Sequence, residues 1–215
     1  MTRFVSNATG SSRLRNVASL FDGKFHGMPL TIRRAAITDA AEIARIHVET
    51  WRTTYPGIVP DTTLAAIDQA EWAQNWRDRL TQGSFPILLA LDGEAAIGFA
   101  AGGVLREPDE IFNAGLYVDD VQISTRFAEL YALYVQTSAH GRGAGRTLCR
   151  AVASDLQSTG LRSLVVWVLA ANPAVSFYEH LGGTLVARKT IGIGGATLPE
   201  IALGWPDIGT LADGR

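Results

Sequence analysis

The sequence predicts a mixed α/β domain of the α+β kind, with a mostly antiparallel, twisted sheet of about six or seven strands flanked by about four helices. Three observations predict it. Residues 86–105 are two apolar runs joined at Asp92-Gly93, a strong hairpin signal. Residues 184–203 repeat that pattern around Gly192-Ile-Gly-Gly195. Between these hairpins, a glycine-rich turn and an amphipathic helical stretch separate two further apolar runs, Ala128–Val135 and Leu164–Val168, which makes that helix a crossover.

The elements follow in order. Leu30–Arg34 reads as the first strand. Asp39–Glu49 reads as a helix starting at Thr38-Asp39, and Trp51-Arg-Thr-Thr-Tyr-Pro-Gly57 is expected to break it. Asp61 is expected to cap a second helix ending at Ile67. Glu71–Leu80 is a third, with Trp72, Trp76 and Leu80 at i, i+4 and i+8. Pro86–Leu91 and Ala95–Leu105 are the second and third strands. Arg106–Phe127 is a long acidic connection holding Glu107, Asp109, Glu110, Asp119 and Asp120. Connections of that length tend to be functional or mobile, and the acidity hints at a cationic ligand such as a polyamine or basic side chain, although a solvated loop explains the charge as well and is preferred. Ala128–Val135 is the fourth strand. Thr147–Leu156 is the crossover helix, with Leu148, Val152 and Leu156 on one face and Gly160 as its stop. Leu164–Val168 is the fifth strand. Asn172-Pro173, a capping residue followed by a proline, opens a helix over Ala174–Leu181 that Gly182-Gly183 end. Thr184–Ile191 and Ala196–Leu203 complete the sheet.

Bulk properties narrow the function. At 215 residues, one domain is the default. A net charge of −2 gives no global basic field for nucleic acid. One cysteine, Cys149, excludes an intramolecular disulfide and a cysteine-based zinc cluster, so no metal is expected. No stretch approaches the ~20 apolar residues of a membrane span. Residues 1–28 are rich in Arg and Ser and hold one acid, Asp22, but lack the apolar core of a secretory signal. They read as an N-terminal extension, either disordered or preceding an internal start at Met28; a transit peptide is the other reading. Residues 29–205 form the domain proper and 206–215 a C-terminal tail. A cytoplasmic location is expected.

The chemistry concentrates at His140-Gly-Arg-Gly-Ala-Gly-Arg146. A glycine-rich turn feeding a helix N-terminus makes an anion site, because backbone N–H groups converge there and the helix dipole favours negative charge. Gly141, Gly143 and Gly145 allow close backbone approach, while Arg142, Arg146 and His140 add positive charge. Two phosphate-binding patterns fail here. Aligned on Gly145, a P-loop needs Gly at His140 and Lys at Arg146. A dinucleotide fingerprint meets Arg146 or Leu148 where its last glycine belongs. A pattern of the form [QR]-x-x-G-x-[GA] fits over His140 to Gly145 except at its first position.

That last pattern is the pyrophosphate loop of the GNAT superfamily of N-acetyltransferases, and the run Glu129–Gly183, ending in N-P-x-x-x-F-Y-E-x-L-G, resembles the core of that family. The resemblance extends over roughly residues 30–205. It implies a V-shaped splay between the fourth and fifth strands. It implies acetyl-CoA, or another acyl-CoA, as co-substrate. The pyrophosphate would rest on backbone amides of Arg142, Gly143, Ala144, Gly145 and Arg146, with His140 and Gly141 beside them in the cofactor site. The pantetheine arm would run along Leu133, Tyr134 and Val135. Asn172 and Phe177 would position the helix carrying Tyr178, which in this family faces the cofactor sulfur and serves as proton donor to the departing thiolate.

Glu129 is the candidate base. Some histone acetyltransferases of the superfamily place a catalytic Glu at the same spacing from the loop. Strand alternation would set Glu129, Tyr131, Leu133 and Val135 on one face, among apolar neighbours that raise a carboxyl pKa. A water chain is the other route for the amine proton, and a solvated strand-end Glu the other reading of this residue. By the same resemblance Trp51 and Tyr55 line the acceptor pocket, holding an amine or a ring by stacking or cation–π contact; core packing is the alternative. The acceptor is a small-molecule or peptide amine, with no nucleic acid and no membrane, and edge-strand pairing allows a homodimer. A non-catalytic acyl-CoA-binding or regulatory module on the same fold is the rival reading. His47-x-Glu49 matches the start of a zinc deaminase signature that one cysteine cannot complete.

Overall fold

The computed structural model describes residues 30–106 and 127–213. Seven strands form one sheet in the order β1-β2-β3-β4-β5-β7-β6. They are β1 Leu30–Arg34, β2 Ile87–Asp92, β3 Ala95–Val104, β4 Phe127–Val135, β5 Ser163–Leu169, β6 Thr184–Ile193 and β7 Ala196–Trp205. Six helices accompany them among the described residues: α1 Ala40–Thr54, α2 Asp61–Ala65, α3 Gln69–Gln82, α4 Ala144–Ser158, α5 Ala174–His180 and α6 Ile208–Ala212. The expectations for residues 1–28 and for the acidic connection lie outside the described residues.

Neighbouring strands are antiparallel except β4 and β5. That parallel pair is short: Phe127↔Ser163, Ala128↔Leu164 and Glu129↔Val165. β4 nevertheless continues along β3 to Val135, paired with Gly98, and β5 continues along β7 to Leu169, paired with Glu200. From Leu130 onward the two strands separate, each held by its other neighbour. This is the expected splay.

Two cores cover the sheet. On one face α4 buries Leu148, Val152 and Leu156 against Leu88, Leu130 and Leu164. On the other face α1 and α3 bury Ile43, Ile46 and Trp76 against Leu89 and Phe99. Burial of each large aliphatic chain contributes about 1.5–3 kcal/mol.

Several boundaries differ from the sequence reading. Helix α1 does not break at Trp51 but runs to Thr54, because the first true breaker is Pro56, which disfavours a helical conformation at Tyr55. Asp61 is not the cap of α2 but its first residue, where its charge favours the helix N-terminus. Helix α3 starts earlier, capped by the Asp68 carboxylate, which accepts the Ala70 N–H at 2.7 Å. The residues read as a tail hold α6: Asp207 accepts the Gly209 N–H at 2.8 Å, and Ile208 and Leu211 are buried in the α4 core.

The alternation expected along β4 does not hold. Ala101 pairs with Ala132 but Gly102 pairs with Leu130, which leaves Tyr131 as an extra residue. This β-bulge puts Leu133 and Val135 on the α4 face, while Tyr131, Ala132 and Tyr134 pack on the α1/α3 face.

Candidate active site

The glycine turn follows directly on the splayed end of β4. Gly141 and Gly143 adopt φ of 74° and 85°, a region that side chains disfavour. Helix α4 begins at Ala144, so the N–H groups of Ala144, Gly145 and Arg146 sit in a first turn that offers them no intrahelical acceptor. Gly145 meets a different constraint: a Cβ there would lie 3.2 Å from the Phe177 ring, so α5 packs onto the turn at this point. The side chains expected to add charge are partly committed within the protein. The Arg142 guanidinium pairs with Asp92 at 2.7 Å, which ties the turn to the β2–β3 hairpin. The His140 ring Nε2 lies 2.9 Å from the Val135 carbonyl; a carbonyl only accepts, so Nε2 carries the proton.

Along the cleft, Leu133, Tyr134 and Val135 have no β5 partner, and on this edge the Val135 carbonyl is taken by His140. Leu133 and Val135 pack toward α4, and the Tyr134 side chain lies on the opposite face. Tyr178 is buried, with its ring 5.2 Å from that of Phe177 and 6.5 Å from that of Trp205. Burial pushes its phenol well above the usual tyrosine range, with lesser contributions from Cys149, Tyr134 and Tyr55 nearby. Asn172 is buried and caps α5, its Oδ1 accepting the Ala174 N–H at 2.8 Å. Its Nδ2 donates to the Tyr55 hydroxyl at 3.0 Å. Trp51 Nε1 donates to the Tyr134 hydroxyl at 3.1 Å. The structure thus joins Trp51, Tyr55, Tyr134 and Asn172, which the sequence had divided between acceptor and cofactor.

Comparison with known proteins agrees with this geometry. The model of the acetyltransferase (GNAT) family matches residues 42–183. The chain belongs to the GNAT family of acetyltransferases. An uncharacterized N-acetyltransferase of Bacillus subtilis (strain 168), YuaI, is 34% identical over 183 residues, 85% of this chain and 96% of that protein. An N-acetyltransferase from Staphylococcus aureus Mu50 superposes with a TM-score of 0.62 at 18% identity, covering 84% of this chain and 99% of its own. The yncA structure from Salmonella typhimurium, solved with its cofactor acetyl-CoA, gives 0.58 at 21% identity, covering 82% and 92%. At such identities these two structures establish the fold alone.

In this GNAT acetyltransferase Glu129 is not left among apolar neighbours as alternation suggested. It is 3% exposed, and its Oε2 accepts the Arg106 backbone N–H at 3.1 Å and Nε at 3.2 Å, while Oε1 accepts from a terminal guanidinium nitrogen. The Arg106 guanidinium also lies 4.2 Å over the Tyr131 ring. The partner arrives from just past β3, 23 residues earlier in the chain, and no local pattern announces it.

Two features of the GNAT domain escaped sequence reasoning. A cavity of about 280 Å³ opens between α1 and α3, lined by His47, Trp51, Trp72, Asn75, Trp76 and Arg79. Within it His47 Nδ1 accepts the Trp76 indole N–H at 3.2 Å, and its ring lies 4.2 Å from that of Tyr134 and 4.3 Å from that of Trp72. Burial, helped by Arg79, lowers the imidazole pKa to about 3. The i, i+4 spacing of Trp72 and Trp76 marked a buried face, but nothing local tied it to His47. The second feature is a recess of about 220 Å³ beside the glycine turn, lined in part by Arg146, Arg150 and His180. Cys149, between these arginines in sequence, is buried, and its thiol is pushed up to about 12.

Proposed function

We propose that this acetyltransferase moves the acetyl group of acetyl-CoA onto a primary amine by direct attack in a ternary complex. One observation carries the reading: β4 and β5 part after Glu129↔Val165, and the glycine turn with the N-terminus of α4 stands at the open end of that cleft. The pyrophosphate rests on the amides from Gly141 to Arg146, and the recess beside Arg146 takes the nucleotide end of the cofactor. The pantetheine arm follows the open edge of β4 at Leu133–Val135, whose backbone donors polarise the thioester carbonyl. Trp51 forms the acceptor-side wall.

The amine nitrogen attacks the thioester carbon. A C–N bond forms, the C–S bond breaks, and Tyr178 gives its phenol proton to the leaving thiolate and is reprotonated from solvent. The raised phenol pKa keeps that proton in place. Of the two acceptors for the amine proton, Glu129 and water, the geometry favours water, because both carboxylate oxygens of Glu129 are already engaged by Arg106. Holding the two substrates together supplies most of the rate.

The test is release of free CoA thiol from acetyl-CoA over a panel of amines, with Tyr178→Phe alongside. General-acid loss predicts a kcat lower by about 10²-fold with acyl-CoA affinity little changed. Unchanged kcat removes Tyr178 from the mechanism. Binding of acyl-CoA without turnover on any amine returns the reading to a non-catalytic module.

A further inference from the structure

The hydrogen bonds around Tyr55 have directions fixed by chemistry. Asn172 Oδ1 is identified by the Ala174 N–H it accepts, so the amide end facing Tyr55 is Nδ2, a donor. The Trp51 indole can only donate, and it gives its proton to the Tyr134 hydroxyl. The Trp51 ring in turn packs against that of Tyr55, with centroids 4.8 Å apart. Tyr55 and Asn172 are 8% and 7% exposed, so these bonds lie out of water.

Position gives the chain its meaning. Trp51 lies on α1, Tyr55 ends that helix, and Tyr134 is on β4. Asn172 belongs to the other half of the molecule, between β5 and α5. The β4–β5 ladder between these halves stops at Glu129↔Val165, so the Tyr55–Asn172 bond spans them where the ladder no longer does. Asn172 is also the cap of α5, which carries Tyr178 and touches the glycine turn through Phe177. The Tyr55 ring packs with Val59, Leu64 and Leu169 and needs no hydroxyl for that. The hydroxyl therefore has a task separable from packing.

We infer that Tyr55 is a positioning residue for the transfer step, its hydroxyl holding Asn172 and thereby the seat of α5 and of the Tyr178 phenol across the open end of the cleft. This rests on the reading of Tyr178 as the acid. It also makes the acceptor side of the cleft a support for the cofactor side, so Tyr55 acts through its oxygen and not as a stacking surface for the amine.

The experiment is a double-mutant cycle on the full chain with Tyr55→Phe and Tyr178→Phe, measuring kcat, amine KM and acetyl-CoA Kd well below the unfolding temperature. Tyr55→Phe is expected to lower kcat by about tenfold, with KM and Kd within about twofold. In the Tyr178→Phe background it is expected to cost nothing further. Asn172→Ala, which cuts the same brace from the other end, should show the same dependence on Tyr178. Wild-type kcat in Tyr55→Phe overturns the inference, as does a rise in amine KM alone. Losses that multiply in the double variant overturn it while leaving the acid reading intact. A Tyr178→Phe variant with wild-type kcat overturns the acid reading itself, and the inference with it.

Discussion

At Glu129 the carboxylate that spacing nominates as a base meets the Arg106 backbone N–H and guanidinium, and this contact settles how the residue should respond to mutation. Glu129→Gln keeps an acceptor for the Arg106 N–H but removes the charge. With water as proton acceptor, kcat/KM should rise with pH along the same limb as in the wild type, because that limb belongs to the amine losing its ammonium proton. The level should fall by less than about tenfold. Loss of the limb, or a displacement of more than about one pH unit, would make Glu129 the base. No alkaline fall is expected through the ordinary tyrosine range, since burial holds the Tyr178 proton beyond it. At this scale the sequence was legible where a residue type has one use. Gly141 and Gly143 supply positive φ and Asn172 a cap, as their types require. It was not legible where a side chain finds a distant partner: Arg142 on Asp92, Arg106 on Glu129, Asn172 on Tyr55. These pairs span up to 117 positions, and short-range pattern carries no information across that distance.

Among elements, the α1–α3 pair depends most on a titrating group. The His47 imidazole is held neutral in the folded chain, with a pKa near 3 against about 6.5 when unfolded. Its folded value is depressed, so its contribution to stability is full above about pH 6.5. That contribution is lost as pH falls toward 3, because the unfolded chain takes up the proton first, at up to ~1.4 kcal/mol per pH unit. His47→Gln, which still offers an acceptor to Trp76 but does not titrate, should flatten the fall in Tm between pH 6.5 and 4. A variant with the same acid dependence as the wild type would show that His47 does not limit acid stability. The element order was readable because glycines, prolines and caps punctuate it; the extension of α1 to Thr54 shows that punctuation marks the breaker and not the residues ahead of it. The bulge at Tyr131 was not readable. Its cause is the pairing with β3, and period-2 alternation assumes a regular ladder.

Over the whole molecule, the sheet behaves as two antiparallel halves, β1–β4 and β5–β7, joined by three parallel pairs and parted beyond them. The hairpins fix each half, the crossover helix α4 sets its N-terminus at the open end, and α5 crosses to meet it at Gly145. On the proposed reading, an anion rests on the glycine turn with its chain lying in the cleft. Calorimetric titration with acetyl-CoA tests it directly, using the wild-type chain and a Gly143→Asp/Gly145→Asp variant whose fold is checked by circular dichroism. The predicted result is a Kd in the micromolar range, about −8 kcal/mol, abolished in the variant by the added charge and the blocked backbone approach. A folded wild-type chain that binds no acetyl-CoA, or a folded variant that binds it as well as the wild type, would contradict the account.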